Sequence, residues 1–146
     1  MRYYNSEGTI FEDILGGYDE IISDKTDTVI LVEGITDKAN VDRELDLYSS
    51  DAVKCCFTFG KNLSENQVKL LIKKRVKSII LMYDPDALKE IEKFSMRYIN
   101  KFEDIKCAKI EGDRDPGDLR KEELNKILND LNTPIDFYFN NIKRIE

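Results

Sequence analysis

The sequence of 146 residues contains no histidine and three cysteines. Without histidine, Ser-His-Asp and Cys-His catalysis are excluded, and so is any histidine-ligated metal site. The cysteines are Cys55, Cys56 and Cys107, and none belongs to a C-x-x-C pair. A structural zinc site is therefore not expected, and we interpret the cysteines as reduced residues of the core.

Long apolar segments are also missing. No apolar stretch approaches the roughly 18 residues that a membrane-spanning helix requires. The first nine residues, MRYYNSEGT, lack the apolar segment of a signal peptide. We therefore expect a cytoplasmic protein with no membrane partner.

Basic residues are fewer than acidic residues, and the formal net charge is −6. This balance argues against a protein that binds nucleic acid electrostatically by itself, although metal ions or a basic partner could still bring nucleic acid to it. No G-x-G-x-x-G or P-loop follows the first predicted strand, which excludes the dinucleotide-binding and P-loop ATPase classes. The composition, 41% hydrophobic and 36% charged, is that of a folded globular chain.

The sequence does contain two short apolar runs that end in acidic residues. Residues 28–32 (TVILV) lead directly into Glu33 and Gly34, and residues 78–83 (SIILMY) lead into Asp84, Pro85 and Asp86. Runs without alternation are typical of strands buried on both faces of a parallel sheet. Since such sheets bind ligands at the carboxyl ends of their strands, we expect these three carboxylates to converge there.

The rest of the pattern predicts four successive βα units. The predicted strands cover residues 28–33, 53–59, 78–83 and 105–110, and the helices that follow cover 37–48, a segment from 64, 87–102 and 119–131. Asp37 is a plausible N-cap of the first helix, and Ser64 with Gln67 forms a capping-box pattern. This order predicts an α/β domain with a four-stranded parallel sheet and right-handed crossovers.

We divide the chain into three parts. Residues 1–27 form an N-terminal arm with a short helix near 9–15, residues 28–131 form the α/β domain, and residues 132–146 form a tail. The tail carries apolar and aromatic side chains, so we expect it to pack on the domain or on a partner.

All the loops at the predicted carboxyl edge carry acids or glycine. Besides the three carboxylates they contribute Asp37, Gly60 with Lys61, and the acidic loop 111–118. Carboxylates that lie close together repel each other unless cations lie between them, and Mg²⁺ prefers oxygen ligands. A simpler interpretation remains open for Asp86, which could cap the next helix.

Two segments resemble the motifs of the Toprim domain, which is shared by bacterial-type primases, topoisomerases and some nucleases. Residues 29–37 (VILVEGITD) look like its first motif, and residues 80–87 (ILMYDPDA) look like its Asp-x-Asp motif. Three further segments resemble bacterial-type primases in particular: 57–64 (FTFGKNLS), 115–119 (DPGDL) and 4–8 (YNSEG).

The resemblance implies a Rossmann-like Toprim fold, a site and cofactors. Glu33, Asp84 and Asp86 would be catalytic and would bind Mg²⁺ or Mn²⁺, with two ions expected. The resemblance adds Asp115 and Asp118 to the metal ligands. It assigns supporting roles to Gly34, Asp37, Gly60 and Lys61.

The function that the resemblance implies is that of the catalytic Toprim subunit of a DNA primase, of the kind found in phage-like replication systems. Such a subunit would use NTPs to make RNA primers on a DNA template. The zinc module and most of the basic template-gripping subdomain of primases are absent from this sequence, so we expect a separate zinc-module partner and also a helicase among the partners. Primases usually have a glycine soon after the Asp-x-Asp motif. In this sequence Asp86 is followed by Ala87 and Leu88 instead.

Other functions remain open at this point. The same metals could serve a small Toprim nuclease that cleaves a phosphodiester. A phospho-aspartate receiver or phosphatase is a further alternative, because residues 80–84 resemble a strand that presents a phosphorylatable aspartate. A binding-only module with a vestigial site is the last.

Overall fold

The computed structural model describes residues 11–145, with side chains up to residue 141. This part of the chain contains four strands: β1 (Thr28–Val32), β2 (Val53–Phe57), β3 (Ser78–Leu81) and β4 (Asp104–Cys107). Its α-helices are α1 (Ile35–Glu44), α2 (Glu65–Lys73), α3 (Leu88–Arg97), α4 (Lys121–Leu128) and α5 (Pro134–Ile145). Within the described residues, no helix is long and apolar enough to cross a membrane.

The strands form one parallel sheet in the order β2-β1-β3-β4. In the register of the two central strands, Thr28 lies beside Ser78 and Leu31 lies beside Leu81. Because Leu31 and Leu81 are paired, Glu33 and Asp84, which lie two and three residues further on, emerge next to each other. The predicted four-stranded parallel α/β fold is thus confirmed.

The strands are apolar throughout because both faces of the sheet are covered. On one face, Val29, Leu31 and Ile79 lie in a core with side chains of α2, α3 and α5. On the other face, Ile30 and Ile80 lie in a second core with side chains of α1 and α4. Cys55 and Cys56 are buried on opposite faces and Cys107 is buried beside the first core, so the prediction of reduced core cysteines is confirmed.

Each edge strand meets an antiparallel backbone segment at its last residue. Gly16 bridges Phe57 of β2, and Asn132 bridges Cys107 of β4. A Cβ atom at position 16 would lie 2.2 Å from the ring of Phe57, so this close approach requires glycine. The described part of the N-terminal arm is therefore attached to the sheet. Its predicted short helix appears as a 3₁₀ turn at Phe11–Asp13, and the primase-like residues 4–8 lie outside the described part.

The helix boundaries differ from those predicted. Helix α1 starts two residues earlier than expected, with Gly34 rather than Asp37 as its N-cap, and it ends at Glu44 instead of residue 48. Asp86 is not a helix cap either, because it lies inside the 3₁₀ turn Pro85–Ala87 that precedes α3. The predicted capping box of α2 is confirmed: Ser64 Oγ accepts from the Gln67 N–H, and Gln67 Oε1 accepts from the Ser64 N–H.

The later elements are also shorter than predicted. β4 ends at Cys107, α3 ends at Arg97 and α4 covers Lys121–Leu128. The tail forms helix α5, whose Phe137 is fully buried against the sheet-covering helices. Ile135, Tyr138 and Phe139 of the same helix are about half exposed. Phe137 thus packs helix α5 on the domain.

Candidate metal centre

The acidic residues that follow the two central strands, Glu33 and Asp84, lie next to each other. Because β1 and β3 are adjacent and in register, the backbone N–H of Asp84 donates a hydrogen bond of 2.9 Å to Oε2 of Glu33. This bond fixes the Glu33 carboxylate over the end of β3.

Asp84 belongs to two groups of acidic side chains. One group contains Glu33, Asp84 and Asp86, and the other contains Asp37, Asp84 and Asp115. In each group, one carboxylate oxygen from every residue lies within 4.8 Å of the others. The side chain of Asp84 is thus shared between two clusters, each of the size that a hard cation needs.

One oxygen of this shared side chain has no partner. Asp84 Oδ1 is buried and accepts no hydrogen bond among the described residues. A buried carboxylate oxygen without a partner costs free energy, unless a donor or cation satisfies it. The carboxylate-only donor set and this unsatisfied atom both fit a divalent cation such as Mg²⁺ or Mn²⁺.

The electrostatics of the site favour the same conclusion. Burial, together with the charges of Glu33 and Asp115, raises the pKa of Asp84 to about 7. Burial and the charge of Asp84 likewise raise the pKa of Asp37 to about 7. Burial raises the pKa of Glu33 too, although the Asp84 N–H opposes this shift. Cations between these carboxylates would remove the repulsion.

A short turn brings Asp115 to the second group. The 3₁₀ turn Pro116–Asp118 places the Gly117 N–H 3.0 Å from Asp37 Oδ1 and 2.9 Å from Asp115 Oδ1. A Cβ atom at position 117 would lie 3.0 Å from both of these oxygens. Glycine therefore allows the backbone to approach the two carboxylates closely.

The acidic groups border an open hollow of about 420 Å³. Its lining includes Asp84, Asp86, Asp113 and Asp115. The hollow is open to solvent, and the described residues contribute no basic side chain to its lining. A polyanionic substrate would therefore need cations to bind there.

The supporting residues predicted from sequence occupy different positions. Gly34 caps α1 beside Glu33. Gly60, which has a φ of 130°, donates its N–H to the Glu33 carbonyl at 2.9 Å. The ammonium group of Lys61 lies 3.7 Å from Glu90 and lowers the pKa of Glu33. All three residues are therefore close to Glu33.

Asp118 is the predicted ligand that the structure does not bring to either acidic group. It is exposed and lies at the end of the turn, where it borders a separate small hollow next to Arg43 and Arg120.

Sequence reasoning missed a buried polar network behind the site. The hydroxyls of Thr58 and Tyr83 lie 2.9 Å apart, Thr58 Oγ1 donates to the Gly60 carbonyl at 2.6 Å, and Gln67 donates to the Thr58 carbonyl at 3.1 Å. Tyr83 directly precedes Asp84, so this network links the end of β3 to the loop that contains Gly60. A buried tyrosine next to the Asp-x-Asp segment was the available signal, but its partners are distant in sequence.

The site and the sheet together define an α/β domain with an acidic centre at the carboxyl ends of its two middle strands. Residues 28–112 match the family model of the Toprim domain. This match covers more than half of the chain, and the chain belongs to the Toprim family. Toprim domains bind divalent metal ions, and the acidic residues of this chain cluster as such binding requires.

The chain is also similar to a solved structure, described as the Aquifex aeolicus primase with its zinc-binding and RNA polymerase domains. The TM-score is 0.62 at 22% sequence identity, and the match covers 88% of this chain but only 32% of that one. At this identity the similarity establishes the fold. No curated protein matches the sequence significantly.

Proposed function

We propose that this chain is the catalytic Toprim part of a DNA primase, which joins ribonucleotides on a DNA template. The observation that carries the proposal is the pair of acidic groups that share Asp84, in a Toprim domain with the fold of a primase. The primase-like loop with Asp115 contributes to the second group, which supports a primase over a nuclease.

In the proposed reaction, the primer 3′-hydroxyl oxygen attacks the α-phosphorus of an NTP. The bond to the β-phosphate breaks, pyrophosphate leaves and the hydroxyl proton is released. Two divalent ions, when bound, would neutralise the attacking and leaving oxygens. Glu33, Asp84 and Asp86 would hold the first ion, and Asp37, Asp84 and Asp115 would hold the second.

Hydrogen bonds within the chain hold the catalytic carboxylates and the neighbouring loop in position. The Asp84 N–H holds one Glu33 oxygen in place, which leaves the other for an ion or for the released proton. The network of Thr58 and Tyr83 keeps the loop with Gly60 and Lys61 beside Glu33.

The charge of the chain supports the proposal of a partner. With a net charge of −6 and an acidic hollow, the chain has little electrostatic attraction for a DNA template. The match covers only 32% of the primase chain, and the name of that primase includes a zinc-binding domain. We therefore propose that a zinc-module protein supplies template binding. A helicase would be a further partner.

Primer synthesis in a reconstituted mixture tests the proposal. The chain is mixed with a zinc-module protein encoded near it, a DNA template, NTPs and Mn²⁺. We expect RNA primers with the wild type and at least a hundredfold less product with Asp84→Ala. Asp104→Asn, at the opposite end of the sheet, is the matched control and should retain synthesis.

Two results would contradict the proposal. One is equal synthesis by Asp84→Ala and the wild type. The other is cleavage of nucleic acid by the chain alone that disappears in Glu33→Gln, which would identify the protein as a Toprim nuclease instead.

A further inference from the structure

Helix α1 holds the turn of the second acidic group through one buried asparagine. Asn40 is only 7% exposed, and its Nδ2 atom donates to the carbonyls of Pro116 and Leu119, each at 2.8 Å. Its Oδ1 atom accepts from the Arg43 guanidinium at 2.6 Å. Both ends of the amide group are therefore used.

The two carbonyls lie at either end of the turn that contains Gly117. Asn40 thus spans the segment and ties both carbonyls to α1, while the Pro116 carbonyl also accepts from the Leu119 N–H at 3.4 Å. The orientation of the amide is fixed by chemistry, because Arg43 offers only donors and the turn offers only acceptors.

The position of this turn also determines where the Asp115 carboxylate lies. The Gly117 N–H lies within 3.0 Å of both Asp37 Oδ1 and Asp115 Oδ1, so its position sets the separation of these two side chains. Asp37 is on α1, one helical turn before Asn40. A single helix therefore provides one acid of the second group directly and fixes the other through Asn40.

We propose that Asn40 is a positioning residue for the second metal ion: it holds the turn 116–119 so that Asp115 meets Asp37 and Asp84. The proposal rests on the metal-dependent function proposed above. Among the described residues, the hydrogen bonds of Asn40 go to Pro116, Leu119 and Arg43 and to no acidic ligand, so Asn40 acts through the backbone of the turn. Metal-supporting hydrogen bonds of this kind commonly change metal affinity by about 10- to 100-fold.

The structure offers a matched control. Asn141 of α5 has the same exposed fraction, 7%, and also donates a 2.8 Å hydrogen bond, to Glu92 Oε1. Asn40→Ala and Asn141→Ala each remove a buried amide, and only the first touches the turn. Asn40→Ser, which retains one donor, serves as a partial rescue.

Two measurements test the proposal. The first is Mn²⁺ binding by calorimetry and electron paramagnetic resonance. We expect Asn40→Ala to weaken binding of the second Mn²⁺ ion at least tenfold and binding of the first ion less than twofold. Asn40→Ser should have an affinity for the second ion between those of Asn40→Ala and the wild type. Asn141→Ala should bind both ions as the wild type does. The second is the amide signal of Gly117 in metal-free protein, whose chemical shift and exchange protection should change in Asn40→Ala alone.

The outcomes separate this proposal from the proposed function. If the wild type binds two ions and Asn40→Ala binds both equally well with an unaltered Gly117 amide, the role of Asn40 is overturned while the metal-dependent function stands. If the wild type binds no manganese, the proposed function fails, and the second-ion role of Asn40 fails with it. Equal losses in Asn40→Ala and Asn141→Ala would show a general stability effect and would also overturn the proposal.

Discussion

Asp84 and Glu33 hold each other in a strained electrostatic arrangement. The Asp84 N–H donates to Glu33 Oε2 at 2.9 Å, and the Asp84 side chain lies next to that same glutamate. The pKa of Asp84 is about 7, so its carboxyl group is charged above that pH, and its Oδ1 has no partner among the described residues. The backbone of Asp84 attracts Glu33 and its side chain repels it. In the absence of cations, such a pair lowers the stability of the fold.

The first prediction follows for Asp84→Asn. Removal of this charge should stabilise the metal-free protein by about 1 kcal/mol, since a buried charge beside like charges is lost. The same change should abolish stabilisation by Mn²⁺, which for the wild type amounts to about 2.7 kcal/mol at a hundredfold excess over Kd. Urea denaturation with and without Mn²⁺ measures both effects. A variant that is less stable without metal would contradict the account of repulsion.

The second prediction concerns pH. Asp37 and Asp84 have pKa values of about 7 in the folded chain, against 3.8 ordinarily. Between about pH 4 and pH 7 the folded chain therefore holds protons that the unfolded chain has released. Stability in EDTA should fall across this window, by about 1–3 kcal/mol after allowance for solvent screening, and become level above about pH 7.

Metal ions should reverse this pH dependence. Because ions compete with protons for the carboxylates, Mn²⁺ affinity should rise as pH rises to about 7. Urea denaturation from pH 4 to pH 8, with EDTA or with Mn²⁺, measures the two trends. A flat stability profile in EDTA would mean that Asp37 and Asp84 titrate normally.

The third prediction separates two neighbouring acids. Asp115→Asn should weaken binding of the second Mn²⁺ at least tenfold, because this side chain belongs to the group with Asp37 and Asp84. Asp118→Asn should change it less than twofold, because Asp118 is exposed and outside both groups. Calorimetric titration with Mn²⁺ measures the affinity of both variants. Equal losses of affinity in Asp115→Asn and Asp118→Asn would assign Asp118 to the site.

The fourth prediction tests whether the tail belongs to the domain. Phe137 is fully buried, whereas Phe139, two residues later on the same helix, is 56% exposed. Phe137→Ala should cost about 3–5 kcal/mol of unfolding free energy, and Phe139→Ala about 0.5 kcal/mol or less. Thermal and urea denaturation of the two variants and the wild type measure these losses of unfolding free energy. Similar small losses in both variants would indicate that α5 docks elsewhere.

The sequence predicted the sheet and its acidic edge because local pattern encodes both. Unbroken apolar runs marked the strands, and Glu33, Asp84 and Asp86 followed directly. The capping box at Ser64 was found because both of its partners lie within four residues.

The errors and omissions have a shared cause, which is long-range contact. Asp37 looked like a helix cap, yet its carboxylate accepts from the Gly117 N–H, 80 residues away. Asn40 had no signal because its partners lie 76 and 79 residues away. The hydroxyl pair of Thr58 and Tyr83 is likewise formed across the sheet. Periodicity describes single elements and contains no information on such pairs.

The two backbone bridges at Phe57 and Cys107 have a consequence for behaviour at high concentration. Exposed edge strands allow sheets of different molecules to join, which leads to aggregation. Here the last residue of each edge strand is already occupied by Gly16 or Asn132 of the same chain. An added strand from another molecule could not extend along either edge to the acidic end, so intermolecular β-pairing would stop short of the metal centre.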